Sequence, residues 1–259
     1  MEEREVYLSV IVPAYNEASR IEHTLLRMQD FLSKKPYGWE IIVVSDGATD
    51  GTVRVVERLK GAIPQIKIID RKENKGKGYS VREGMLAATG RIRLFADADN
   101  ATDISHFELM RPFFDGGADV VIASRDSKDA RGARQTIPQA TLKRILGNMG
   151  NLYIQLIAVR GIWDTQCGFK AFRADAARKI FRVSRISRWG FDIEALALAR
   201  HFGYNVRVAP ADWKNDARSH VRMSAYAQVL WETTKIGWWI RTGAYDTQSR
   251  ITNDYEKTV

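Results

Sequence analysis

The sequence predicts an α/β fold: a mostly parallel sheet flanked by helices. Three observations carry that expectation. Short apolar runs rich in Val and Ile alternate with segments of helical spacing from residue 6 to residue 123. Nearly every such run is followed by a polar stretch rich in Asp, Asn, Gly or Ser. At 259 residues the chain is long for one domain and short for two, which suits one α/β unit with a C-terminal elaboration.

The elements follow in order. Val6–Val12 (VYLSVIV) reads as the first strand and stops at Pro13, and Ser19–Leu32 has helical spacing through Ile21, Leu25, Met28 and Leu32. Glu40–Val44 is a second β-rich run, and Thr52–Leu59 carries a helical stripe of Val53, Val56 and Leu59. Ile66–Ile69 is a strand, Gly78–Ala88 a helix, Ile92–Ala96 a strand, Ile104–Phe114 a helix and Val120–Ala123 a fifth strand. This alternation means βαβ units. In such sheets ligands bind outside the carboxyl ends of the strands. PAYNE (Pro13–Glu17), SDGATDGT (Ser45–Thr52), ADADNAT after the fourth strand and SRDS (Ser124–Ser127) are therefore expected along one rim. Each alone is also ordinary turn chemistry.

The net charge of +9 is unevenly placed. Residues 131–222 hold 17 Lys/Arg and 6 Asp/Glu, a balance of +11, which leaves −2 for the rest. A localised basic region suits an anionic partner (phosphate, acidic lipid or nucleic acid) or a solvated basic face. The single cysteine, Cys167, excludes an internal disulfide and points to a reducing compartment. The acidic start, MEEREVYLSV, resembles neither a signal peptide nor an anchor. The best candidate span, Ile145–Val159, contains Asn148, Asn151 and Gln155 and falls short of the ~20 predominantly apolar residues a spanning helix needs. The expectation is a soluble or peripheral protein.

Asp97 and Asp99 stand two apart where the fourth strand ends, so they converge if strand geometry persists that far. Two adjacent carboxylates repel, and Mg²⁺ relieves that repulsion while completing its shell with water and substrate phosphates. The pair thus points to a metal-bound diphosphate, although a D-x-D also arises by chance. Other phosphate sites are excluded: there is no G-x-x-x-x-G-K-[ST], and NKGKGYSVREG lacks the dinucleotide glycine spacing. That segment does precede a helix, where Lys75 or Lys77 can face an anion. No G-x-S-x-G supports a serine hydrolase. His23, His106, His201 and His220 form no H-E-x-x-H, Cys167 has no partner, and the first three histidines read as helix-surface residues.

SVIVPAYNEASRI, EIIVVSDGATDGT, NKGKGYSVREGM and FADADNAT resemble the ordered motifs of family 2 glycosyltransferases with the GT-A fold. ASR, VRGIWDTQCGFKAF, RWGFDIEALALA and VAPADW narrow the resemblance to the dolichyl-phosphate β-glucosyltransferases and other polyprenyl-phosphate glycosyltransferases. The similarity covers nearly all of Val6–Trp213. It implies a GT-A domain over 1–215, with an acceptor loop and a C-terminal membrane-interface helix over 216–259.

The resemblance implies roles residue by residue. Asp46, Pro13, Tyr15 and Glu17 hold the uridine, with Lys77 also on the nucleotide. Asp97 orients the sugar nucleotide, and Asp99 binds Mg²⁺ or Mn²⁺ on the diphosphate. Some mannosyl relatives carry a Gln two positions after that Asp, where this chain has Ala101. Gln166, Cys167, Gly168, Trp189 and Asp192 face the sugar. Arg125, Lys143, Arg144, Arg218, Ser219, His220 and Arg222 serve the acceptor phosphate. Relatives carry Gly-Ser-Lys where this chain has Arg218-Ser219-His220, so a permanent cation gives way to a His of unperturbed pKa about 6.5.

The implied reaction is inverting transfer of a sugar, glucose first among UDP-sugars, to a polyprenyl or dolichyl phosphate. The alternatives are another UDP-sugar such as UDP-GlcNAc, or a hydroxyl acceptor. A phosphate monoester, with a second pKa of about 6, attacks without a base, whereas a hydroxyl needs one and Asp192 lies at its place. Asp97, Asp99, Arg125 and Asp192 are thus the candidate catalytic set. Leu142–Trp163 and Tyr226–Tyr245, the latter with Trp231, Trp238 and Trp239 beside Lys235 and Arg241, have the pattern of interfacial helices. Packing on the core or a dimer contact is the other reading. A peripheral enzyme on the cytoplasmic face of a membrane is expected, with no nucleic-acid partner; oligomeric state is left open.

Overall fold

The computed structural model describes residues 5–135, 141–213 and 223–246. Strands β1 (Val6–Ala14), β2 (Gly38–Asp46), β3 (Ile66–Arg71), β4 (Ile92–Ala96) and β5 (Val120–Ser124) alternate with helices α1 (Ile21–Leu32), α2 (Thr52–Leu59), α3 (Lys77–Ala87) and α4 (Phe107–Asp115). β6 (Arg134–Gln135), α5 (Thr141–Ile157), β7 (Phe169–Arg173), α6 (Ala174–Val183), α7 (Phe191–His201), β8 (Val206–Pro210), β9 (Asp212–Trp213) and α8 (Met223–Arg241) follow. Seven strands form one sheet in the order β3-β2-β1-β4-β7-β5-β8, and β6 pairs with β9 in a small second sheet.

The sheet is mostly parallel, as expected, with one exception: β7 runs antiparallel to both β4 and β5. Sequence reasoning took this segment for a motif and missed the strand. A lysine as its second residue argues against a buried strand, and Lys170 is fully buried here. Its ammonium is accommodated because Asp192 lies within reach.

The strands alternate across the two faces with a period of two. Val10, Val12, Ile41, Val43 and Leu94 pack under α1, α2 and α4 through Leu25, Val56 and Phe107. Ile11, Ile42, Val44 and Phe95 pack on the opposite face with α3, α6 and α7 through Val81, Ile180 and Leu196. Both faces are covered, which is why these strands read as continuous apolar runs.

Two local expectations change. Ile104–Phe114 divides into a 3₁₀ turn, Ile104–His106, and α4. His106 is half-buried rather than a plain surface residue: its Nε2 accepts from the Asp212 amide at 3.0 Å. His201 pairs with Asp246 at 2.7 Å. Among the described residues no helix is long and apolar enough to cross a membrane. α8 packs on α5 and α7. Met149, Leu152 and Leu156 of α5 and Trp231 and Trp238 of α8 remain exposed.

Candidate active site

The carboxyl ends of β1, β2 and β4 open into a cleft of about 410 Å³. The loops after β1 and β2 interlock at its edge. The Glu17 amide donates to Thr52 Oγ1 at 2.8 Å, the Ala18 amide to Asp50 Oδ2 at 2.9 Å, and the Thr49 amide to Asn16 Oδ1 at 2.8 Å. Asn16 sits at φ 55°, the left-handed region that asparagine tolerates. These ties place Pro13, Tyr15 and Glu17 on the cleft wall. Arg20 joins them, paired with Glu17.

Asp46, the last residue of β2, accepts from the Lys75 and Gly76 amides at 2.8 Å each and pairs with Arg71. Its carboxylate thus fixes the turn that starts α3. Gly76 is required there on two counts: φ is +101°, and a Cβ would stand 2.4 Å from the Ser187 carbonyl. The turn aims Lys77 at Asp97, Nζ to Oδ1 2.5 Å. Burial works against the Lys77 charge, but Asp97, Asp192 and Asp99 outweigh it and hold the ammonium above the ordinary lysine range.

β4 ends at Ala96, so the expectation that Asp97 and Asp99 converge as a continued strand is corrected. The chain turns at residues 98–99 instead, with the Asn100 amide donating to the Asp97 carbonyl at 3.4 Å, and both carboxylates line the cleft. The Asp99 carboxyl is pushed above its ordinary range by burial first and by Asp97 second, against the Ala101 amide, Arg20 and Lys77. A divalent cation relieves that strain, and hard carboxylate oxygens suit Mg²⁺ or Mn²⁺. Among the described residues there is no cluster of three or more His, Cys, Asp or Glu ligands. A cation here therefore needs substrate or water oxygens to complete its shell.

Behind Asp97 the chain comes very close. A Cβ at Gly168 would lie 2.1 Å from Asp97 Oδ2, so Gly168 backs the carboxylate, and a larger residue there would require Asp97 to shift. Lys170, two residues on, donates to the Cys167 carbonyl and to Asp192 Oδ1, both at 2.5 Å. Burial pushes the Asp192 carboxyl up, and Lys170 and Lys77 oppose that push. Cys167 itself is fully buried in the core, with its thiol pushed up to about 11 by burial.

The cleft thus gathers Pro13, Tyr15, Glu17, Asp46, Lys77, Asp97, Asp99 and Trp189. It does not gather Arg125, which is held by Asp164 through Nε at 2.7 Å and Nη2 at 2.8 Å. Nor is it lined by Gln166, which is exposed, or by Cys167, Gly168 and Asp192, which stand beside or behind it. Lys143 and Arg144 fall in α5 with side chains outside the described residues; Arg218, Ser219, His220 and Arg222 lie outside them altogether. Sequence reasoning missed the lining residues with polar side chains Arg20, Asn74, Ser80 and Arg188, and the small residues Ala14, Gly76 and Ala98. Two had a legible signal: Arg20 follows Glu17 by three residues, and Arg188 directly precedes Trp189.

The fold is shared with glucosyl-3-phosphoglycerate synthase from Mycobacterium tuberculosis, solved with Mn²⁺, UDP-glucose and phosphoglyceric acid. The TM-score is 0.60 at 16% identity over 90% of this chain and 80% of that one. That shared fold is the GT-A fold. Residues 9–181 match glycosyl transferase family 2, and the chain belongs to that family. It is 32% identical to a dolichyl-phosphate β-glucosyltransferase of Trichomonas vaginalis, over 95% of this chain and 75% of the relative. It is 38% identical to the dolichyl-phosphate β-glucosyltransferase of Drosophila melanogaster, over 80% of this chain and 66% of the relative.

Proposed function

We propose that this chain transfers glucose from UDP-glucose to a polyprenyl phosphate such as dolichyl phosphate, with inversion at the anomeric carbon. One structural observation carries the choice of acceptor. Asp192, at the place where a hydroxyl acceptor needs a base, is buried against the Lys170 ammonium. That carboxylate does not line the cleft, so it is poorly placed to take a proton from a reacting hydroxyl, and a phosphate acceptor has none to give up. Relatives 31–38% identical carry the same activity in their names.

Pro13, Tyr15 and Asp46 grip the uridine side and Trp189 faces the sugar. Lys77 is poised at the diphosphate through its bond to Asp97. Asp99, with Asp97 beside it, would hold a divalent cation, which supplies charge neutralisation of the departing UDP. Arg125 keeps its guanidinium charged through Asp164 and stands on the acceptor side. The family resemblance also assigns Lys143, Arg144, Arg218, Ser219, His220 and Arg222 to the acceptor phosphate. Residues 1–215 form the transferase domain, and 216–259 the acceptor loop and interface helix. The exposed Trp and Leu residues of α5 and α8 support seating on a membrane, at its cytoplasmic face.

The test is a screen of UDP-sugars against dolichyl phosphate, detecting the glycolipid by mass. UDP-glucose is expected to give the only abundant product. Turnover confined to another UDP-sugar, or to hydroxyl acceptors, overturns the proposal.

A further inference from the structure

One wall of the cleft is the segment between α6 and α7, which carries Arg188 and Trp189. It lies directly on the turn that opens α3. The Tyr79 amide donates to the Ser187 carbonyl at 3.1 Å, and a Cβ at Gly78 would stand 2.7 Å from the Ile186 carbonyl. Residues 184–187 of this wall belong to no helix or strand, so their backbone groups must find partners elsewhere.

Two buried glutamates hold the wall, one at each end. Glu194 accepts from the Arg185 amide at 2.8 Å and the Ile186 amide at 2.9 Å, and Tyr245 donates its hydroxyl to Glu194 at 2.7 Å. Glu232 of α8 accepts from the Gly190 amide at 2.7 Å and from Gln228 at 2.8 Å. The fit at Gly190 is tight: a Cβ there would sit 2.8 Å from Glu232 Oε2 and 2.9 Å from Glu232 Cβ. Glu232 lies in α8 and Tyr245 just beyond it, and neither lines the cleft.

We propose that Glu232 and Tyr245 are positioning residues: through Gly190 and Glu194 they hold the Arg188–Trp189 wall in the conformation that binds the sugar half of the donor. The role rests on the reading of the cleft as a UDP-sugar site. Glu232 acts at the amide of Gly190, the residue capping the N-terminus of α7, where the helix dipole favours a carboxylate. The exposed Trp231 is its immediate neighbour in α8, so the helix that supports the wall also presents an aromatic face outward. α8 thereby becomes part of donor recognition, although it contributes no side chain to the cleft.

The test uses the full chain with Glu232→Ala, Glu232→Gln, Gly190→Ala and Tyr245→Phe. Binding of UDP and of UDP-glucose is measured by calorimetry, and amide hydrogen exchange is followed by mass spectrometry. Glu232→Ala is expected to speed exchange across residues 184–191 while leaving β1 and β2 protected. It is also expected to weaken UDP-glucose about tenfold, with UDP changed by less than about threefold. Glu232→Gln keeps an acceptor oxygen and is expected to restore most of that loss. Gly190→Ala is expected to reproduce Glu232→Ala, and Tyr245→Phe to give a smaller effect of the same kind. Unchanged exchange at 184–191 overturns the role whatever the ligand results. Faster exchange with undiminished UDP-glucose binding, or equal weakening of UDP and UDP-glucose, overturns it as well. If the wild-type chain binds a different nucleotide sugar, the proposed donor fails, and that nucleotide sugar takes the place of UDP-glucose in the same comparison.

Discussion

Asp192→Asn separates the two acceptor chemistries, and the structure sets the size of the effect. Lys170 is fully buried, and its ammonium reaches Asp192 at 2.5 Å and the Cys167 carbonyl at 2.5 Å. The asparagine keeps shape but removes the countercharge. Breaking a buried pair by removing one partner costs about 3–5 kcal/mol, a large share of the roughly 5–15 kcal/mol that holds a domain together. At roughly 2–4 °C per kcal/mol for a domain near this size, Tm should fall by roughly 6–20 °C. Removing both charges, as Lys170→Met with Asp192→Asn, leaves neither member of this pair uncompensated and should recover most of that loss. Thermal denaturation of the two single variants and the double variant measures this directly. Transfer to dolichyl phosphate is then assayed well below each Tm, so that unfolding does not enter. If the acceptor is its own nucleophile, the stable double variant keeps turnover within about tenfold of wild type. Loss of a general base would instead cost about 10²–10⁴-fold. A double variant that is stable yet inactive refutes the phosphate-acceptor argument, and an unchanged Tm in Asp192→Asn refutes the buried pair.

Three further outcomes are expected. Asp99→Asn should lower kcat by about 10²–10³-fold and remove its dependence on added Mg²⁺ or Mn²⁺. Tm should not fall, because Asp97 loses a repelling neighbour; a metal titration identical to wild type would exclude Asp99 as a ligand. Burial pushes the Glu40 carboxyl up, but bonds from Lys67, Ser9 and Thr89 outweigh it and leave it below the ordinary range. Its contribution is therefore present above about pH 4.3 and lost as pH falls through the folded value. Glu40→Gln should cost about 1–3 kcal/mol at pH 7, little of it from the well-exposed Lys67. It should also flatten the acid limb of the stability curve; an acid limb parallel to wild type counts against this assignment. Cys167, buried with its thiol pushed up to about 11, should resist maleimide at neutral pH until denaturant is added, with or without UDP-glucose. Rapid labelling of the native chain would show that the thiol is accessible.

Some of this protein was legible in one dimension. Continuous apolar runs set β1, β2, β4 and β5 within a few residues, because a strand covered on both faces must be apolar on both. The rim rule then grouped Pro13, Tyr15, Glu17, Asp46, Asp97 and Asp99 before any coordinates, since parallel strands end together. β7 was not legible. Lys170 forbids a central strand unless a carboxylate from another element meets it, and Asp192 is 22 residues away. Asp97 and Asp99 share the cleft without the continued strand that their spacing suggests, because β4 ends at Ala96 and the chain turns directly after it. Arg188 reaches the cleft, and Glu232 is brought under its wall, only through the meeting of α3, α7 and α8. Local pattern determines which segments can be strands and which loops face a ligand; contacts between segments far apart in the chain decide which charges can be buried, because only there does each find its partner.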